Sequence, residues 1–337
     1  MLDAVQTRWV WPKAWDTQLY LQYLAPSLKV GHMTNRGPAS KMLERTAKQR
    51  LQLTKHVAVA VTSGTAALHA LVATHKMVGT NDLSRGVLIS AFGFPPICQC
   101  NFSAVVRIAD VDPKHGGPVL PNDGCIPSAI CLVNPFGYRV DVEYYRRYCD
   151  EHAISLWMDN AAAPLHLLSD GRSVVDLADM AVVSLHETKP IGRGEGGLLL
   201  VLPEHEEIAH RAINFGYDAS IPPLERPSSW HPEASNWRMS DLAAAAILMH
   251  WELNWDRITS FMVDHDDEIV DVGPFKRGQR GSMMSCLMEP RQDRPDFEVK
   301  YYYRPLASRE EAPEAWRIYD SVQCRPFHPP GGPAPYS

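Results

Sequence analysis

Three short segments of this 337-residue chain hold residue types from which a cofactor site can be built. Val61-Thr62-Ser63-Gly64-Thr65-Ala66-Ala67-Leu68 passes from a β-branched run through small residues straight into a helical pattern. Free backbone N–H groups and the positive end of a helix dipole converge at such a junction, which suits a phosphate. Read alone, Ser63 or Thr65 serves equally as an ordinary helix N-cap. Trp157-Met158-Asp159-Asn160-Ala161-Ala162 puts a carboxylate at the carboxyl end of an apolar strand, where open α/β sheets place their ligands. There it either keeps a heterocyclic nitrogen protonated or caps the next turn. Ser184-Leu185-His186-Glu187-Thr188-Lys189 is followed by Gly192-Arg193-Gly194-Glu195-Gly196-Gly197. A lysine just past a buried strand is partly desolvated, which lowers its pKa and frees the amine for a Schiff base. The glycines let the backbone turn sharply beside a ligand. A lone lysine is most often a solvated surface charge, so the segment gains its meaning from the order of all three.

The elements that must position these residues are legible as alternation. Short apolar runs at 56–61, 87–89, 129–133, 154–158, 181–183 and 198–201 predict strands. Helical patterns fit between them at 40–53, 66–74, 142–152 (capped by Asp141) and 204–213. That arrangement predicts an α/β fold with a mostly parallel sheet and crossover helices. Ser240 caps a further helix running to about His250 or beyond. The polar stretch Lys276 to Arg294 reads as a loop, 297–303 as a final strand, and the chain from Arg325 as a Pro-rich tail holding Pro329-Pro330-Gly331-Gly332-Pro333. A large domain with an N-terminal helical arm is expected over 1–240, and a small C-terminal α+β domain over 241–337.

Composition excludes several function classes. With 45% hydrophobic residues the chain can bury a sizeable core. A net charge of -6 with no basic stripe argues against nucleic acid. No basic segment followed by an apolar run opens the chain, and no run is long enough to span a membrane, so a cytoplasmic protein is expected. Seven scattered cysteines read as free thiols, with no second pair beside Cys98 and Cys100 to complete a metal site.

Together the motifs resemble the DegT/DnrJ/EryC1/StrS family of sugar aminotransferases, which use pyridoxal 5'-phosphate (PLP) on a fold-type I scaffold. Besides the three segments, Met33-Thr34-Asn35-Arg36-Gly37-Pro38 with Glu44 resembles the family's opening motif, Asn134-Pro135-Phe136-Gly137 its central strand end, and Asn236-Trp237-Arg238-Met239-Ser240-Asp241-Leu242 its Asn-aromatic-Arg-Met element. Tyr302-Tyr303-Arg304-Pro305-Leu306 and Cys324-Arg325-Pro326 resemble weaker C-terminal signposts. The resemblance implies that Lys189 carries the cofactor and shuttles the proton, and that Asp159 pairs with the pyridinium nitrogen. It implies that Gly64, Thr65 and Ser184 hold the phosphate, with Asn236 reaching the phosphate of a neighbouring subunit. Phe94 falls where an aromatic stacks on the ring, although core packing can claim either it or Phe92. His186 is either a buried, hydrogen-bonded histidine or a substrate contact.

The implied reaction moves an amino group from an amino acid, glutamate first among candidates, to a nucleotide-linked keto sugar in a homodimer with shared sites. Two rivals stand beside it. A sugar dehydratase of the same family would carry histidine in place of Lys189, and a non-catalytic nucleotide-sugar-binding protein is suggested by Ala162 and the short C-terminal domain. Ala162 stands where many members have Gln or His to bond the cofactor's phenolic oxygen, and 276–294 has no counterpart in the family pattern.

Overall fold

A computed structural model describes residues 7–79, 82–218, 220–222, 224–225 and 229–329. Its frame is a sheet of seven strands: β1 (Val57–Val61), β2 (Val87–Ser90), β3 (Val106–Ala109), β4 (Ala129–Val133), β5 (Ser155–Asp159), β6 (Met180–Ser184) and β7 (Gly197–Val201). They lie in the order β1-β7-β6-β5-β4-β2-β3. β7 runs antiparallel to both neighbours and every other pairing is parallel. β2, β4, β6 and β7 are buried along their whole length. Such strands read as continuous apolar runs because both sheet faces are covered. The edge strand β3 is only partly buried and carries Arg107, so its apolar signal is interrupted and the sequence reading passed over it.

Helices supply the cover. α1 (Thr17–Val30), α2 (Pro38–Arg50), α3 (Gly64–Val78), α4 (Val142–His152) and α5 (Glu206–Ala212) are joined by α6 (Asp241–Asp264), whose 24 residues run well past His250. Asp16 Oδ1 caps α1 through Leu19 N at 2.9 Å, Asp141 caps α4, and Ser240 caps α6. α6 packs against both α1 and α2. None of the described helices is long and apolar enough to cross a membrane.

The C-terminal region corrects three expectations. Within 276–294, read as a loop, lies strand β8 (Cys286–Pro290), paired antiparallel with β9 (Val322–Pro326), which follows α7 (Pro313–Ser321). β8 has no β-branched residue, so it carried little strand signal. The expected strand 297–303 makes only isolated bridges, Phe297 to Thr7 and Lys300 to Cys324. Its alternation is real, since Tyr302 is buried between the exposed Tyr301 and Tyr303, yet it meets β9 only at the Lys300–Cys324 bridge, and no ladder continues from there. Arg325 and Pro326 end β9 rather than starting a tail, and 330–337 lie outside the described residues.

Asp241 ties three helices together from the first turn of α6. Its buried carboxylate accepts from Ser27 Oγ on α1 at 2.5 Å, and from Ala39 N, Ser40 N and Ser40 Oγ on α2 at 2.9, 3.1 and 2.6 Å. Removing it strands buried donors on two helices. Asp241→Ala is expected to cost the ligand-free protein roughly 3 kcal/mol in urea unfolding, whereas Val30→Ala at an exposed position costs less than about 0.5. Similar costs for the two would contradict this role.

Candidate active site

Asp159 ends β5 and Lys189 lies five residues beyond the end of the adjacent β6, so the parallel pairing of these strands delivers both to one edge of the sheet. Asp159 is 3% exposed, and among the described residues its carboxylate accepts a single hydrogen bond, from Ala161 N, 3.1 Å from Oδ1. Burial pushes its carboxyl from 3.8 up to about 6, against the opposing pull of the Ala161 amide and of Lys189. Burial likewise lowers the Lys189 amine, against the pull of Cys286 and Asp159. The two charges feel each other without forming an ion pair, and Lys189 Nζ has no hydrogen-bond partner among the described residues. A buried carboxylate held by one amide and a desolvated amine could pair with a cationic heterocycle and an electrophile.

The turn after Asp159 is fixed by side-chain amides. Asn134 Nδ2 donates to Asn160 Oδ1 at 2.8 Å, and Asn160 Nδ2 donates to Ala163 O.

The phosphate turn forms where β1 meets α3. Ser63 Oγ accepts from Ala66 N at 3.0 Å and Ser63 O from Ala67 N, which leaves the Gly64 and Thr65 amides of the first turn without intrahelical partners. Ser63 is thus the N-cap, and among the described residues the next two amides have no intrahelical partner. A Cβ on Gly64 would lie 3.0 Å from Ser184 Cβ and 3.2 Å from its Oγ, so any larger residue would press on this buried hydroxyl at the end of β6 and glycine lets the helix start there without displacing it. Gly64, Thr65 and Ser184 thus form one cradle of hydrogen-bond donors, matched in kind to a phosphate.

The remaining candidates are placed as follows. Phe92 is taken by the core, stacked on Phe275 at 5.6 Å, whereas Phe94 is partly open and meets Tyr303 edge-on at 5.0 Å. His186 is hydrogen-bonded but not buried: Thr188 Oγ1 lies 2.8 Å from Nδ1, and Glu195 Oε1 3.4 Å from Nε2. Asn236 is exposed, and its Oδ1 accepts from Arg238 Nε at 3.0 Å. The bond from Thr62 N to Trp237 O ties its segment to the end of β1. Ala162 contributes its carbonyl, which accepts from Ser285 Oγ at 2.9 Å.

Sequence reasoning gave no site role to the C-terminal tyrosines. The Leu306 amide bonds Ala91 O at 2.8 Å and anchors their segment at the end of β2. Burial is the main cause raising the pKa of both Tyr302 and Tyr303, and the charge of Asp159 adds to it, so the segment reaches the site. The adjacent pair Tyr302-Tyr303 was visible, but nothing local showed that it folds back onto a distant strand end.

Because the Asp159 carboxyl is raised on folding, its contribution to stability is complete below pH 3.8 and lost as pH rises through about 6. In ligand-free protein, Asp159→Asn is therefore expected to raise the unfolding free energy by on the order of 2 to 3 kcal/mol at pH 7 and by far less at pH 4. Denaturant titrations at the two pH values check this, and an equal effect at both would show that the carboxylate is not under strain.

Comparison with known proteins places this geometry in a family. The chain matches the model of the DegT/DnrJ/EryC1/StrS aminotransferase family over residues 16–253. It is 27% identical over 194 residues to protein Rv3402c of Mycobacterium tuberculosis, covering 54% of this chain and 46% of that protein. It is 24% identical over 235 residues to GDP-perosamine synthase of Vibrio cholerae, covering 66% of this chain and 60% of the synthase. The chain thus spans about half the length of its mycobacterial relatives. The fold is shared with DesI, solved in the presence of its TDP-sugar product, at TM-score 0.71 and 20% identity over 94% of this chain and 86% of DesI. With the matched segment taking in the phosphate turn, Asp159, Lys189 and the Asn236 element, the chain belongs to the DegT/DnrJ/EryC1/StrS aminotransferase family, built on the fold of PLP-dependent transferases.

Proposed function

We propose that the protein is a PLP-dependent aminotransferase that moves an amino group from an amino acid, glutamate in the first instance, to the keto carbon of a nucleotide-linked sugar. The observation that carries this reading is the buried Asp159 carboxylate and the desolvated Lys189 amine together with the Gly64, Thr65 and Ser184 cradle. A donor cradle for a phosphate, a buried carboxylate for a ring nitrogen and a desolvated amine for a carbonyl fit PLP group by group. Support for a nucleotide sugar comes from the relatives, one a GDP-perosamine synthase and one solved with a TDP-sugar product.

PLP, when bound, supplies the electron sink that lets a C–H bond beside the transferred nitrogen ionise. Asp159 accepts a charge-assisted hydrogen bond from the protonated ring nitrogen and so regains the counter-charge that the fold withholds. The Gly64 and Thr65 amides and the Ser184 hydroxyl orient the phosphate. Lys189 Nζ, kept short of protons by burial, takes a proton from the donor's carbon in one half-reaction and delivers one to the sugar carbon in the other. Phe94, Tyr302 and Tyr303 shield the Asp159 side from water. Asn236, exposed on its own chain, serves the phosphate of a second copy, which makes the working form a homodimer with shared sites.

Borohydride reduction of the loaded protein followed by peptide mapping is expected to leave the pyridoxyl group on Lys189. In a single-turnover assay, glutamate should convert the cofactor to its amine form, and a nucleotide keto-hexose should return it with nitrogen in the sugar product. A product without nitrogen that has lost a hydroxyl would replace this reading with the dehydratase. A label on another lysine, or no return of the cofactor, would remove the catalytic assignment.

A further inference from the structure

The segment that carries Lys189, residues 187–192, belongs to no helix or strand, yet five of its carbonyls are bonded by side chains from elsewhere in the chain. Lys13 Nζ donates to Glu187 O at 2.5 Å, to Lys189 O at 2.9 Å and to Gly192 O at 2.5 Å. From α6, His250 Nε2 donates to Pro190 O at 2.9 Å and Trp251 Nε1 to Ile191 O at 2.6 Å. Pro190 O can only accept, so Nε2 carries the His250 proton, and Nδ1 is left to accept from Asn254 Nδ2 at 3.0 Å.

Lys13 is the most constrained of these donors. It is 5% exposed, and its three N–H bonds meet three carbonyls, which satisfies the ammonium completely. Its charge is balanced by Glu187, 3.9 Å away, whose carboxylate also accepts from Arg193 Nη1 at 3.1 Å and Gly194 N at 2.5 Å. Both ends of the segment are thereby pinned to one point. At Lys189 itself the amide donates to His186 O at 2.8 Å, and the carbonyl receives Gly192 N at 3.0 Å as well as Lys13. The backbone on both sides of Lys189 is fixed, and only the side-chain torsions remain free. A Cβ on Gly192 would collide with His186 O and Leu185 C, so the segment is also closed on itself.

We propose that Lys13 is a positioning residue for Lys189: its ammonium, reaching from the N-terminal segment, holds the Lys189 carbonyl and aims the amine at the Asp159 side of the site. The proposal rests on the reading of Lys189 as the cofactor-bearing residue. A tripod of carbonyls calls for a charge with three divergent donors. A methionine of similar length would leave all three unpaired, and the planar arginine fork cannot reproduce the arrangement. Misplacement of a reacting group by about an ångström is enough to cost a large factor in rate.

The test uses the full chain as parent, Lys13→Met and Lys13→Arg. In ligand-free protein, hydrogen exchange of peptides covering 187–194 is expected to quicken by about tenfold or more in Lys13→Met and by less in Lys13→Arg, with β5 peptides unchanged. Residue-resolved labelling by a lysine-selective reagent across pH should show the Lys189 amine moving back toward its ordinary pKa as water enters. In the PLP-loaded enzyme, kcat should fall by about tenfold or more, with KM for glutamate within about twofold of the parent. If Lys13→Met does not fold, Lys13→Arg carries the same comparisons. Unchanged exchange at 187–194 and an unchanged Lys189 labelling profile in a folded variant would overturn the proposal. The exchange and labelling readouts need no cofactor, so they stand even if PLP proves to attach elsewhere, which would overturn the functional reading instead.

Discussion

Burial of the Asp159 carboxylate at 3% exposure, with the Ala161 amide as its hydrogen-bond donor and the Lys189 amine pulling against burial, is the constraint on which the site depends. A side chain in that position would relax toward water or find a partner unless the backbone around it were held. Most of the neighbouring structure holds it. The buried strands β4 and β6 flank β5, the amides of Asn134 and Asn160 lock the turn that follows, and the segment around Tyr302 closes over the outside. Such a site is stable only as part of a larger rigid frame, and under the proposed function the cofactor's ring nitrogen would supply the counter-charge.

That frame is assembled from parts far apart in sequence. α6 supplies two carbonyl-binding side chains to the Lys189 segment, while Asp241 at its start ties α1 and α2 to the same helix. Lys13, just before α1, reaches the Lys189 segment directly. The N-terminal region and α6 therefore do more than cover the sheet: they set the backbone on which the amine stands. The short sheet of β8 and β9 has a comparable part, because Ser285 holds the Ala162 carbonyl and Cys286 lies close enough to influence the Lys189 amine.

Legibility followed the range of the interactions. Strands β4 to β7 announced themselves as apolar runs, and Asp159 and Lys189 followed two of them, but each segment taken alone had a plain structural reading. Only the order of the three, with the family resemblance, gave Asp159, Lys189, Ser184 and the Gly64 turn their expected roles. β3 and β8 gave no such run, one an edge strand broken by Arg107 and the other lacking β-branched residues. Tyr301 to Tyr303 alternate like a strand but pair with none, an outcome decided by what lies beside them. Lys13 sits between Trp11 and Trp15, an apolar setting that hints at burial, but its three acceptors lie more than 170 positions away. Tertiary hydrogen bonds of that span leave no periodic trace.

The account turns on Asp159 being a strained carboxyl in the ligand-free fold that is relieved by a cationic ring. Carbon-13 NMR of aspartate-labelled protein, with the resonance assigned through Asp159→Asn, measures that directly. The carboxyl is expected to titrate near pH 6 without cofactor and below about pH 4 with PLP bound. A midpoint that is the same with and without PLP, or an ordinary one in the ligand-free protein, would contradict it.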